Sequence, residues 1–162
     1  MLHRPIRIIS HPWRTMMSDK YDVLKLDNQL CFPLYAVSKE IVKKYTPFLS
    51  DIDLTYTQYI AMMVMWEHKE LSVKGLGQKL LLDSGTLTPL LKTLEKKGFV
   101  TRERSKEDER FLVVKITEEG MDLRERALEI PQKIGGCISL TQEEALQLYT
   151  ILRKLLGQFE EE

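Results

Sequence analysis

Two cysteines and a group of tyrosines are the residues of this 162-residue chain best equipped for chemistry. Cys31 sits in the stretch LDNQLCFPLYAVSKE, among Leu30, Phe32 and Leu34, where a thiol is by default a small buried hydrophobe. A reactive role asks for more: a thiolate stabilised by hydrogen-bond donors, a path for an oxidant, and a thiol that resolves the oxidised sulfur. Tyr35 follows four residues later and shares a helical face with Cys31, so its hydroxyl can line a pocket beside the sulfur. Tyr45 lies fourteen residues on, about 21 Å along a straight helix at a rise of about 1.5 Å per residue. It cannot touch Cys31 of its own chain, but in an antiparallel partner it can. Cys137 stands in the Gly135-Gly136 break, between two helical segments. If both ends of the chain form a dimer interface, Cys31 of one chain can approach Cys137 of the other, and an oxidised Cys31 can be captured as an intersubunit disulfide.

Enzyme chemistry has less support. The three histidines, His3, His11 and His68, are not spaced with Cys, Asp or Glu as metal ligands, and no glycine-rich phosphate cradle is present. No cofactor, metal or catalytic residue is therefore expected, and the methionines Met62, Met63 and Met65 read as core filler.

A second set of residues could read nucleic acid. The segment from Ser72 to Thr117 gives two short helical patterns, a turn, and two strands separated by a charged tip, which is the order a winged helix-turn-helix needs. Ser84, Thr86, Thr88 and Lys92 lie on the exposed side of its second helix; small hydroxyls can approach base edges in the major groove, and threonine methyls can meet thymine methyls. The hairpin carries Arg102, Arg104, Lys106 and Arg110, cations suited to a narrow, AT-rich minor groove. Asp108 would repel phosphate if it faced DNA, so its expected role is to pair with a neighbouring arginine and brace the tip.

The elements that must position these residues follow from periodicity. Leu26, Leu30, Leu34, Val37, Ile41, Tyr45 and Phe48 recur three or four apart, which predicts one long amphipathic helix from Asp22 to Phe48, ending near Pro47. Thr55 caps YTQYIAMMVMWEHKE, apolar on nearly every side from Ile60 to Trp66 and so expected in the interior. Ser72 caps a helix through Leu80, and Asp83 or Ser84 caps the next, which Gly98 stops after Lys97. Pro89 inside that helix has no account from sequence. Phe99–Arg104 and Phe111–Ile116 read as strands. Thr117 opens a helix through about Ile134 with Pro131 near its end, and Thr141-x-x-Glu144 is a capping box for a last helix with Ala145, Leu148, Ile151, Leu152, Leu155 and Phe159 on one stripe. The fold class is thus mostly α with a small β-wing.

The chain is long enough for one buried core and too short for two comfortable domains. Residues 1–20 read as a poorly ordered extension; for residues 1–17 an ordered arm is the third choice behind a frayed DNA-touching tail and sequence upstream of a start at Met16 or Met17. Residues 21–162 form a single domain, with 55–117 the DNA-reading part. The apolar stripes of 21–54 and 118–162 exceed what that small unit can cover, which predicts a two-fold homodimer with two reading helices about one duplex turn apart. The formal net charge is +0, but basic residues outnumber acidic ones from Asp83 to Lys115 and acidic ones dominate after Glu118. A basic reading face is balanced by an acidic helical tail. With no signal-peptide pattern and no apolar run of membrane length, a reducing cytoplasm is expected and no membrane partner.

From about Tyr21 to Gln158 the sequence resembles the MarR family of winged-helix repressors. LDNQLCFPLYAVSKE, LTYTQYIAMMVMWEH, LLLDSGTLTPLLKTLEKKGFVTRERSKEDER and the TEEG cap occur in the family's order. QLCFPLY and DSGTLTPLL point to the OhrR subgroup, which senses organic hydroperoxides. The resemblance implies a MarR-like dimer in which Cys31 is the reactive cysteine. Tyr45 and Tyr56 would reach across the dimer to its thiolate, and Tyr35 would line the pocket of its own chain. Asp108 and Arg110 would form the wing pair, and Ser84 and Thr86 would contact DNA. Cys137 falls where two-cysteine members carry their second thiol; members without it use a low-molecular-weight thiol. The implied partners are a palindromic operator in double-stranded DNA, a second copy of the chain, and organic hydroperoxide as the signal. Two related readings stay open: a MarR-type repressor released by a small phenolic or apolar ligand, and an oxidant-sensing regulator of virulence or antibiotic tolerance.

Overall fold

A computed structural model describes residues 19–105 and 110–159. The chain divides into two compact units, one ending at Lys43 and the other running from Lys44 onward.

In the first unit the long helix expected from Asp22 does not begin there. Residues Asp22–Leu24 and Leu26–Asn28 form two short 3-10 turns, and helix α1 (Cys31–Ser50) starts only at Cys31. Side chains explain the break. Asn28 Nδ2 donates to the Asp22 carbonyl at 2.7 Å and Gln29 Nε2 to the Val23 carbonyl at 2.5 Å, so amide side chains take acceptors that a continuous helix would fill from its own backbone. Pro33 falls in the first turn of α1, where its missing N–H costs nothing. The helix also passes through Pro47 and ends at Ser50, three residues beyond the expected stop.

The second unit holds the core. Helix α2 (Tyr56–His68) starts with a complete capping box: Thr55 Oγ1 accepts from the Gln58 amide and the Gln58 side chain accepts from the Thr55 amide. As its composition predicts, α2 buries Gln58, Tyr59, Ala61, Met62, Met65 and Trp66; Met63, expected as filler, faces solvent. Strand β1 (Glu70–Ser72) follows, then α3 (Val73–Leu80) and α4 (Ser84–Lys96). Ser72 and Asp83 cap these two helices by accepting from the Gly75 and Thr86 amides. Leu76, Leu87, Leu91 and Leu94 are almost fully buried beneath α2.

Strands β2 (Val100–Arg104) and β3 (Leu112–Ile116) form the expected hairpin, and β1 adds a third strand that periodicity missed because it is three residues long. The order is β1-β3-β2, all antiparallel. Helix α5 (Glu118–Ala127) opens on Thr117, whose hydroxyl accepts from the Gly120 amide and donates to the Gly98 carbonyl. Gly120 is required by contact: a Cβ there would lie 2.2 Å from the Phe99 carbonyl oxygen, and its own carbonyl accepts from Trp66 Nε1 at 2.7 Å. The single helix expected from Thr117 to Ile134 is two. Pro131 lies in the first turn of a separate helix α6 (Ile130–Gly135), the place where proline is best tolerated. Helix α7 (Gln142–Leu156) carries the expected Thr141–Glu144 capping box.

Candidate functional site

Cys31 is the first residue of α1, where the amides of the opening turn have no carbonyl partner within the helix, and it is exposed and free. Within a single chain the thiol is not buried among its apolar neighbours: Leu30, Phe32 and Leu34 are themselves 38–49% exposed. Tyr35, one helical turn on, is 64% exposed. Within the first unit, Cys31 and Tyr35 thus stand on an uncovered stretch of chain.

The other two tyrosines of the expected sensing set belong to the second unit and meet there. The rings of Tyr45 and Tyr56 lie 4.9 Å apart, edge to face, and Tyr59 joins them with its ring 6.0 Å from that of Tyr45. Burial, reinforced by the neighbouring Tyr56, pushes the Tyr45 phenol above its ordinary pKa. Burial does the same for Tyr59, with Tyr45 and Tyr56 adding to it. These two phenols stay protonated through the whole neutral range. Tyr59 was missed by sequence reasoning, although its spacing of three from Tyr56 places the two on neighbouring positions of one helix face.

Cys137 is exposed and free in the turn after α6, its amide donating to the Ile134 carbonyl at 2.9 Å.

On the reading helix, Ser84, Thr86, Thr88 and Lys92 are all exposed, as expected. Two of the hydroxyl protons are already committed. Thr86 Oγ1 donates to the Asp83 carboxylate at 3.0 Å and Thr88 Oγ1 to the Ser84 carbonyl at 2.7 Å. What these threonines offer outward is acceptor lone pairs and methyl groups. Asp83, held by the Thr86 amide and hydroxyl, has its carboxyl below the usual carboxylate range. The helix carries Pro89 in its second turn, where the forfeited bond is the one to the Gly85 carbonyl.

The wing cations divide. Arg104 and Arg110 are exposed; Lys106 and Asp108 lie outside the described residues, and with them the expected brace between Asp108 and an arginine. Arg102, expected as a DNA-facing tip cation, makes an ion pair within the chain. It is turned onto α4, with Nε 3.0 Å and a terminal nitrogen 2.6 Å from Glu95 Oε2. Across the sheet, Lys115 sits between Glu103 at 3.3 Å and Glu70 at 3.6 Å, and Glu103 first, then Glu70, raises its pKa. At the far end of α4, Lys97 reaches Asp53 Oδ2 at 3.1 Å, the Asp53 carbonyl and Gln58 Oε1 at 3.4 Å, tying that helix to the α1–α2 turn. Among the described residues no cluster of His, Cys, Asp and Glu could hold a metal, and no helix is long and apolar enough to cross a membrane.

Comparison with known proteins places this geometry. The family described as Transcriptional regulator SarA/Rot matches residues 43–126. The organic hydroperoxide resistance transcriptional regulator of Bacillus subtilis (strain 168) is 49% identical over 140 residues, covering 86% of this chain and 95% of the relative. The HTH-type transcriptional regulator SarZ of Staphylococcus aureus (strain MRSA252) is 46% identical over 132 residues, covering 82% and 89%. Among solved structures, reduced AbfR bound to DNA aligns with a TM-score of 0.70 at 34% identity, over 87% of this chain and 99% of that one. AbfR with its disulfide formed aligns at 0.60 and 33%, over 86% and 96%. The Bacillus and Staphylococcus relatives are transcriptional regulators, and AbfR binds DNA. The chain belongs to the SarA/Rot family of transcriptional regulators, among the winged-helix, redox-sensing repressors of the OhrR, SarZ and AbfR type.

Proposed function

We propose that this protein acts in the cytoplasm as a homodimeric repressor that holds a palindromic operator while Cys31 is reduced and releases it when an organic hydroperoxide oxidises Cys31. Residues 55–117 read the DNA, and residues 21–54 and 118–162 join the two copies. The observation that carries the reading is an exposed, free Cys31 at the start of α1, in a chain 49% identical to an organic hydroperoxide resistance regulator.

The chemistry is a two-electron oxidation of sulfur. The Cys31 thiolate attacks the terminal oxygen of the hydroperoxide and the O–O bond breaks; the alkoxide takes up a proton and leaves as an alcohol, and Cys31 becomes a sulfenic acid. A second thiol, Cys137 of the other copy or a low-molecular-weight thiol, then attacks that sulfur, forming the disulfide and expelling the oxygen as water. Tyr45 and Tyr56 serve the reduced state of the partner: ring contact holds both phenols in one place, and their protons are available to a sulfur anion. Tyr35 lines the pocket from its own chain. Oxidation replaces an anion by a neutral sulfur and disrupts that arrangement. The spacing of the two reading helices changes in consequence, and a small error is enough because both half-sites must be met together.

Operator affinity of the wild type and of Cys31→Ser, each before and after one equivalent of cumene hydroperoxide, tests the reading. Release is expected for the wild type only; equal release, or none in either, overturns it. Intact mass under non-reducing conditions, with Cys137→Ser alongside, tells an intersubunit disulfide from an adduct with a small thiol.

A further inference from the structure

The Glu95 carboxylate receives three hydrogen bonds from one residue. Arg102 gives its backbone amide to Oε1 at 3.1 Å, and its Nε and a terminal nitrogen to Oε2 at 3.0 and 2.6 Å. Glu95 lies in the last turn of α4 and Arg102 in the middle of β2, so the contact spans the junction between reading helix and wing. The rest of that junction is short and tied: Gly98 turns the chain at φ +80°, the Phe99 amide donates to the Leu94 carbonyl, and the Gly98 carbonyl accepts from Thr117. The Arg102 side chain is only 20% exposed, whereas Arg104 on the same strand is exposed. Two guanidinium nitrogens are committed to one carboxylate oxygen, which fixes the direction of the side chain and neutralises its charge where it sits.

We propose that Arg102 is a positioning residue and not a DNA contact, and that with Glu95 it fixes the angle of the wing to the reading helix. The proposal rests on the operator-binding reading above. Major-groove and minor-groove contacts come from these two separate elements, and a specific site must satisfy both in one register. Fixing their angle in the free protein removes an ordering cost from binding the specific site. Non-specific attraction to phosphate gains nothing from it.

The two roles make opposite predictions for Glu95→Gln, a near-isosteric change. If Arg102 served phosphate, removing a nearby negative charge and freeing the guanidinium would leave binding unchanged or tighten it. If the pair positions the wing, the variant binds more weakly. The probe is a duplex selected from a random pool by the wild-type protein, titrated at several salt concentrations beside a scrambled duplex.

We expect Glu95→Gln and Arg102→Met each to lose about tenfold in specific affinity. The double variant should lose no more than either alone, since both changes remove one shared interaction. The scrambled duplex and the dependence of log K on log salt should be unaffected; a lost phosphate contact would flatten that slope by about 0.9. Exchange of the pair, Glu95→Arg with Arg102→Glu, should recover part of the loss, which a general loss of stability would not. Unchanged or tighter binding by Glu95→Gln, or a flattened salt slope for Arg102→Met alone, overturns the proposal. A wild type that selects no duplex overturns the repressor reading itself, so the two failures are distinct.

Discussion

Helices α2 and α7 are of similar length and both begin with a complete capping box, yet they end in opposite situations. Helix α2 buries six of its thirteen residues between its neighbours; α7, with fifteen, buries none and leaves Leu146, Leu148, Tyr149 and Ile151 40–65% exposed. The local signals that start a helix are therefore the same in both, and what separates them is the supply of apolar surface to pack against. The winged unit supplies it for α2 from within one chain. A second copy would supply it for α7, and the proposed homodimer assigns the helix that role.

The sharpest way to break this contrast is to cut a side chain from each place. Leu94→Ala, at a site with no exposure, should cost about 2–5 kcal/mol in urea unfolding. Ile151→Ala should cost the isolated protomer less than about 0.5 kcal/mol. Comparable losses in dilute protein would mean that α7 belongs to the protomer's own core. Next in size, Leu148→Asp with Ile151→Asp should weaken self-association on the order of a hundredfold by sedimentation, while the urea transition of the winged unit is retained. A smaller effect is expected at a cap: Thr117→Ala, which loses the bonds to Gly120 and Gly98, should cost about 1 kcal/mol.

The finest distinction is in acid. Asp83 and Glu144 are both held below the usual carboxylate range by amide and hydroxyl donors, from Thr86 and Thr141. A carboxyl whose pKa is lower folded than unfolded contributes stability that is complete above the unfolded value. That contribution is lost as pH falls through the folded value. The protection of amides at the start of α4 and of α7, taken relative to the intrinsic exchange rate at each pH, should therefore fall as the pH drops through the carboxylate range. Asp83→Asn should abolish that fall at α4 and leave it at α7.

Much of this was legible in the sequence because its determinants are local. Thr55, Ser72, Thr117 and Thr141 cap the helices they were expected to cap, and the β2–β3 hairpin falls within a residue of its expected bounds. The misses came where a side chain competes with the backbone or where an element is too short to have a period. Asn28 and Gln29 break the expected first helix by capturing carbonyls, Pro131 starts a helix and does not end one, and β1 exists only because β3 is there to pair with it. At the site, type and spacing singled out Cys31 and Tyr45, and the family resemblance added Tyr56. They could not reveal that Tyr59 joins the ring cluster, or that Arg102 pairs with Glu95, since both depend on contacts made through the fold.

The Glu95–Arg102 clamp has one more effect, on the sheet itself. In the order β1-β3-β2 the strand β2 lies at an edge, where outward amides are an invitation for a foreign strand to add. The Arg102 amide is occupied by the Glu95 carboxylate, and the same contact lays a charged pair along the rim. At this position the edge has no free amide to offer a strand from another chain, and aggregation through β2 is disfavoured there.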